Sequence, residues 1–325
     1  MKPFSRYLLS AVSILLSATA VNAQTVLRLG NEFPVNHPIN ENLVAAAKRI
    51  NDETAGRIEI KIFPASQLGS GRELVQQVSS GALDFGFSGA GMLGNWHRPI
   101  SVFEAPFLAR DWNHWSAMLK SPTAVGILEE LERKAAISKI GNACYYGQRH
   151  FTTRSRVIQR PDDLRGLKIR VPEVPIFIDM IRAVGAIPTP MPLGDVYLSL
   201  QTGVIEGQEN PLPTINSAKL QEVQSHIALT GHVISGLWPI ANAKMWQRLD
   251  RKDREIITRA LDMASDLCTR AVLNQERTLQ KEFEGRGVKF SIPDRDAFVK
   301  AMQSVYSKND ENWGRGVVDA LQRTK

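Results

Sequence analysis

Apolar and polar positions alternate in several short runs, and between those runs apolar residues recur with the spacing of a helix face. "RIEIKIF" puts Ile58, Ile60 and Ile62 on one side, the two-residue period of a strand. "TVLRLG" (25–30) and "ALDFGFS" (82–88) read as strands in the same way. The intervening "NENLVAAAKRINDETAG" (40–56) and "GRELVQQVSSG" (71–81) are amphipathic helices, the first with Asn40 as its expected N-cap and Gly56 as its stop. This β-α-β-α-β order predicts a parallel sheet covered by helices.

The second half repeats the punctuation of the first. "PASQLG", a helix and "GALD" (81–84) are answered by "PMPLG", a helix and "GVIE" (203–206), which points to two domains of similar architecture. Residues 249–287 form one very long helix, with Ile256, Ile257, Ala260, Met263, Ala264 and Leu267 at helical spacing. Asp250 or Asp253 is placed to cap it, and Gly285 or Gly287 to end it. A helix of that length is expected to bridge two small domains. In "GLKIRVPE" (166–173), Leu167, Ile169 and Val171 face one way and Lys168 and Arg170 the other, before Pro172 stops the strand.

The N-terminus adds a destination. Lys2 and Arg6, the serine-broken apolar run "LLSAVSILLSATA" and the small residues of "VNA" predict a cleavable signal peptide over 1–23, hence export, most simply to a bacterial periplasm. Losing Lys2 and Arg6 lowers the formal charge from +7 to +5. Basic residues are scattered among the acids, which argues against a nucleic-acid partner. Only Cys144 and Cys268 are present, and they fit either a disulfide or two buried thiols.

Enzyme signatures fail on their context. "GAGMLG" (89–94) has dinucleotide-loop glycines, but Pro99 leaves little room for the helix such a loop needs, and "LARDWNHW" is not a strand ending in an acid. "GFSGAG" has Ala90 where a nucleophile elbow needs glycine. There is no HExxH or CxxC, so no metal and no cofactor are expected. What remains are polar groups at strand ends, where open parallel sheets bind ligands: Asn31, Arg149, Arg170, Gln208 and Asn210.

These residues, with "PASQLGSGRELVQQVSSGALDFGF", "GQRHFTT", "LRGLKIRVPE", "GAIPTPMPLGDVYLSLQTGVIEGQENPL" and "EVQSHIALTGH", resemble the solute receptors of tripartite ATP-independent periplasmic (TRAP) transporters. The resemblance implies an α/β, two-domain, flytrap-like binding protein with hinge strands and a long bracing helix. Domain I would hold 24–146 plus about 236–275, and domain II 147–235 plus about 276–325. It implies a receptor and not an enzyme: a monomer that takes a small organic acid and delivers it to the small and large permease subunits. Arg170 of the "KxRVP" pattern would clasp the ligand carboxylate, Asn210 would bond the same group, and Arg149 matches a second arginine of sialic-acid-type relatives. Asn31 and Glu73 would line the cleft from domain I, although Glu73 also suits a helix N-terminus. His37 and Glu173 are further candidates, His37-Pro38 also reading as a plain helix start. Trp238 reads as packing. Leu193 stands where the sialic-acid type has a phenylalanine against the ligand, which favours a sugar acid such as a hexuronate or aldonate. Sialic acid, C4-dicarboxylates, aromatic or keto acids, a sensor-linked receptor and a periplasmic enzyme on sugar acids are the alternatives.

Overall fold

The computed structural model describes residues 24–325, so the expected signal peptide (1–23) lies outside the described residues. Ten strands form one sheet: β1 (Thr25–Gly30), β2 (Ile58–Phe63), β3 (Phe85–Gly89), β4 (Ile137–Lys139), β5 (Cys144–Thr153), β6 (Lys168–Val171), β7 (Ile187–Pro190), β8 (Gly207–Asn210), β9 (His226–Asn242) and β10 (Lys289–Ser291). Their order is β2, β1, β3, β9, β5, β8, β6, β7, with β4 and β10 also paired to β9.

Alternation explains the pairing. Leu27 sits opposite Ile60 across the parallel β1–β2 pair, and both are buried under flanking helices. Parallel β6 then stands between β7 and β8 in the other half of the sheet. The halves are joined through the two long antiparallel strands. The C-terminal part of β9 pairs with β3 and β4, and its start pairs with β10. β5 runs alongside β9 and pairs at its far end with β8. The β5–β9 register shifts between Tyr145 and Gly147, where Gly147 has φ +124°. A glycine is required there, since L side chains disfavour that conformation.

The long helix is Arg251–Gly285, 35 residues, or about 50 Å at 1.5 Å per residue. It packs on helix Pro38–Glu53, on β5, on the short helix Leu212–Ser217 and on β10, so it runs along both halves. Asp250 takes the N-cap position, whereas Asp253 in the first turn holds Arg57 through two 2.7 Å hydrogen bonds. Cys144 and Cys268 are joined by a disulfide that ties the start of β5 to this helix, with Cα atoms 5.7 Å apart. Nearby, the Tyr145 N–H donates to Thr269 Oγ1 at 2.9 Å and the Gln148 N–H to Glu276 Oε1 at 2.8 Å. Trp238 is fully buried against Phe103 and Trp115, a packing role.

One helix start differs from the expectation. The first helix begins at Pro38, and its N-cap is His37, whose Nδ1 accepts from the Ile39 N–H at 3.3 Å. Proline suits the first helical turn because its missing N–H would be unpaired there anyway. Asn40 lies inside the helix and points back, bonding Asn31 and the carbonyls of Phe33 and Pro34. Among the described residues, no helix is long and apolar enough to cross a membrane.

Candidate functional site

A cavity opens beside the carboxyl ends of β1, β3, β6 and β8, the position where parallel sheets gather ligands. Glu32 and Phe33 reach it from β1, Gly89 and Met92 from β3, Arg170 and Pro172 from β6, and Asn210 from β8. The crossing strands add Tyr146, Arg149 and Leu237, while Val174, Phe177, Leu193 and Glu104 complete the wall.

Arg170 is 3% exposed. Its Nε and Nη2 both donate to the Met191 carbonyl, at 3.0 and 2.7 Å, and no carboxylate among the described residues forms an ion pair with it. Burial pulls its pKa below the usual arginine value, opposed by the charges of Glu32 and Glu209. Lys168, two residues earlier on the same strand face, is exposed. The face therefore passes from water into the cavity within one pleat.

Arg149, 5% exposed, is held differently. Its Nε donates to Glu209 Oε2 at 2.5 Å and its Nη2 to Oε1 at 2.8 Å, with a further bond to Asn210 Oδ1 at 3.2 Å. Its guanidinium lies 4.7 Å from the Phe177 ring centre. Burial works against its charge, but the Glu209 carboxylate outweighs it and lifts the pKa. Asn210 also accepts from the Tyr146 hydroxyl at 3.2 Å and donates to Gln208 Oε1.

The other sequence-predicted residues fall outside the cavity wall. Asn31 is fully buried one residue behind it, its Oδ1 accepting from the Phe33 N–H at 3.0 Å and its Nδ2 bonding Asn40, so it shapes the turn that presents Glu32. Glu73 is exposed and caps its helix: its carboxylate accepts from the Ser70 N–H at 2.7 Å while Ser70 Oγ accepts from the Glu73 N–H. The helix-start role thus accounts for its position. His37 caps the first helix, lies 5.0 Å from the Phe33 ring, and has its pKa lowered to about 3 by burial. Glu173 is half-buried beside the wall, with its carbonyl accepting from Asn95 Nδ2 at 3.2 Å.

Sequence reasoning missed Glu32, Glu104 and Glu209. The strand-end rule that picked Asn31 reaches Glu32 with one more residue. Glu104 carries no local signal, because a 3-10 helix (Arg98–Glu104) brings it in from the side. Burial pushes both the Glu32 and Glu104 carboxyls up; Arg170 and Arg149 oppose this at Glu32, and Arg149 opposes it at Glu104. Among the described residues, no group of three or more His, Cys, Asp or Glu is arranged to hold a metal ion.

The family model for bacterial extracellular solute-binding proteins, family 7, matches residues 29–312. The chain is 33% identical over 311 residues to the sialic acid-binding periplasmic protein SiaP of Vibrio cholerae, covering 96% of each chain. Its fold matches a TRAP periplasmic solute-binding protein of Roseobacter denitrificans with bound L-galactonate, at TM-score 0.86, 30% identity, and 91% and 98% coverage of the two chains. It matches a Haemophilus influenzae counterpart with bound L-gulonate equally well, at TM-score 0.86, 27% identity, and 93% and 100% coverage.

Proposed function

The chain belongs to the bacterial extracellular solute-binding proteins of family 7, and from that premise we propose that it is the periplasmic receptor of a TRAP transporter for a sugar acid, such as an aldonate or hexuronate. Members of this family are solute receptors, not enzymes. Arg170 is the group that takes the ligand carboxylate. The observation that carries this is its pairing: a buried guanidinium oriented by one carbonyl, with no carboxylate of its own, at the end of a parallel strand. A planar guanidinium holds both oxygens of a carboxylate, and the pairing strengthens away from water. Asn210 and Arg149 stand beside it on the same wall.

Residues 24–146 with about 236–275, and 147–235 with about 276–325, act as two lobes that close on the ligand by bending at β5 and β9. Support comes from the sheet, whose two halves connect through those strands. The receptor then delivers its ligand to the membrane permease, which supplies the energy of transport. Relatives that hold L-galactonate and L-gulonate favour a hydroxylated monocarboxylate. The similarity to a sialic acid receptor makes sialic acid the second reading, which Leu193 in the cavity wall counts against because it covers less ligand surface than a phenylalanine.

The test is a calorimetric and thermal-shift screen of organic acids against the wild type and Arg170→Ala. A bound acid raises the melting temperature. Losing the buried charge pair should weaken binding by about 100-fold or more. Full affinity in Arg170→Ala would overturn the assignment.

A further inference from the structure

We propose that Glu32 and Glu104 are the charge filter of the cavity: they admit a monocarboxylate whose remaining polar groups are hydroxyls and reject an acid with a second carboxylate. This rests on the reading that Arg170 takes one carboxylate, and it adds what the rest of the ligand must be.

The first argument is a ceiling on charge. The cavity wall holds two cations, Arg149 and Arg170, and Arg149 is already matched by the Glu209 carboxylate. Glu32 and Glu104 face the same space, and neither forms an ion pair among the described residues. Even with both protonated, these groups carry one net positive charge, and every ionised glutamate lowers it. His37 nearby adds none at neutral pH, because burial holds it neutral. At most one carboxylate is matched by this wall. A second would lie in a dry cavity beside acids, where like charges are strongly unfavourable.

The second argument is that the chain makes room for both acids. The Gly91 N–H donates to Glu104 Oε2 at 2.7 Å, and a Cβ on Gly91 would stand 2.4 Å from that oxygen. A Cβ on Gly89 would stand 3.0 Å from Glu104 Oε1. Likewise a Cβ on Gly71 would fall 2.6 Å from Glu32 Oε1. The glycines of "GAGMLG", which lack the setting of a dinucleotide loop, thus have a use: they let a carboxylate come close to the backbone at the cavity wall. A carboxylate offers about four acceptor positions. The Gly91 N–H occupies part of that capacity on Glu104, and the Gly71 backbone lies close against the Glu32 carboxylate. The remainder suits ligand hydroxyls, which donate.

The experiment is calorimetric titration with matched pairs that differ at one end, galactonate with galactarate and gluconate with glucarate. The wild type should prefer the monocarboxylate of a pair by about 100-fold or more. Glu32→Gln and Glu104→Gln, which keep shape and remove charge, should each narrow that ratio by about 10-fold, chiefly by gaining affinity for the dicarboxylate. Should a variant fail to fold, the wild-type ratio decides alone. Equal binding of both members by the wild type, with Arg170→Ala losing both, overturns the filter and leaves the Arg170 assignment standing. Unchanged ratios in both folded variants also overturn it. If no acid binds, or Arg170→Ala keeps full affinity, the receptor reading falls and the filter falls with it.

Discussion

Arg149 and Glu209 form a buried two-pronged ion pair, at 2.5 and 2.8 Å, and this pair gives the two cavity arginines different surroundings. With its charge matched, Arg149 is a fixed part of the wall that also bonds Asn210. Among the described residues, the Arg170 side chain bonds only the Met191 carbonyl and has no carboxylate partner. Glu209 is further fixed by His232, whose Nε2 lies 3.3 Å from Oε2 and whose ring stacks on Phe151.

Glu209→Gln should therefore destabilise the protein strongly, by about 3–5 kcal/mol, because it leaves the Arg149 guanidinium buried without its counter-charge. Urea unfolding measures this. Adding Arg149→Met should recover part of the loss, since the double variant buries no unmatched charge at this pair. A double variant no more stable than Glu209→Gln would show that the pair is not the source.

The Cys144–Cys268 bridge closes a loop with a sequence separation of 124 between β5 and the long helix. Reduction, or Cys144→Ser with Cys268→Ser, should lower the unfolding free energy by about 2–5 kcal/mol. Scanning calorimetry with and without reductant reads the effect as a fall in melting temperature of several degrees. The folded protein should retain ligand affinity, because neither cysteine lines the cavity.

Stability should also fall in mild acid. Burial lowers the pKa of His37 and of His150 from 6.5 to about 3. Between those values the unfolded chain binds protons that the folded chain refuses, so this contribution is complete above pH 6.5 and is lost progressively down to about pH 3. The two histidines together give a limiting slope of about 2.7 kcal/mol per pH unit. Urea titrations at several pH values check this, and His150→Gln should remove about one proton from the slope.

Much of the cavity was legible because strand ends are legible. Alternation in "GLKIRVPE" placed Arg170 at the last turn of a parallel strand, and Asn210 and Arg149 followed from "IEGQENP" and "CYYGQRHFTT". Local pattern failed where two roles compete for one residue type. Glu73 satisfies a capping box three residues after Ser70, so its carboxylate is held by the Ser70 N–H and stays out of the cavity. At the first helix a histidine took the cap expected of Asn40, because Pro38 prefers the first turn and Asn40 has partners in the β1 turn.

Sequence alone determined the periodic features: strands and helices in α/β order, a long helix, and the family that these motifs resemble. They are local, since a side chain's period along the backbone decides which face it shows. Tertiary structure decided which of the exposed-looking polar groups are wet. Lys168 and Arg170 share one strand face, yet only Arg170 is covered by the wall that Phe33, Phe177 and Leu193 build from distant segments. It also joined the two cysteines, matched Arg149 with Glu209, and brought Glu104 through Gly89 and Gly91 to the same cavity. Desolvation and charge pairing depend on neighbours far along the chain, so the final charge of the cavity exists only in the folded protein.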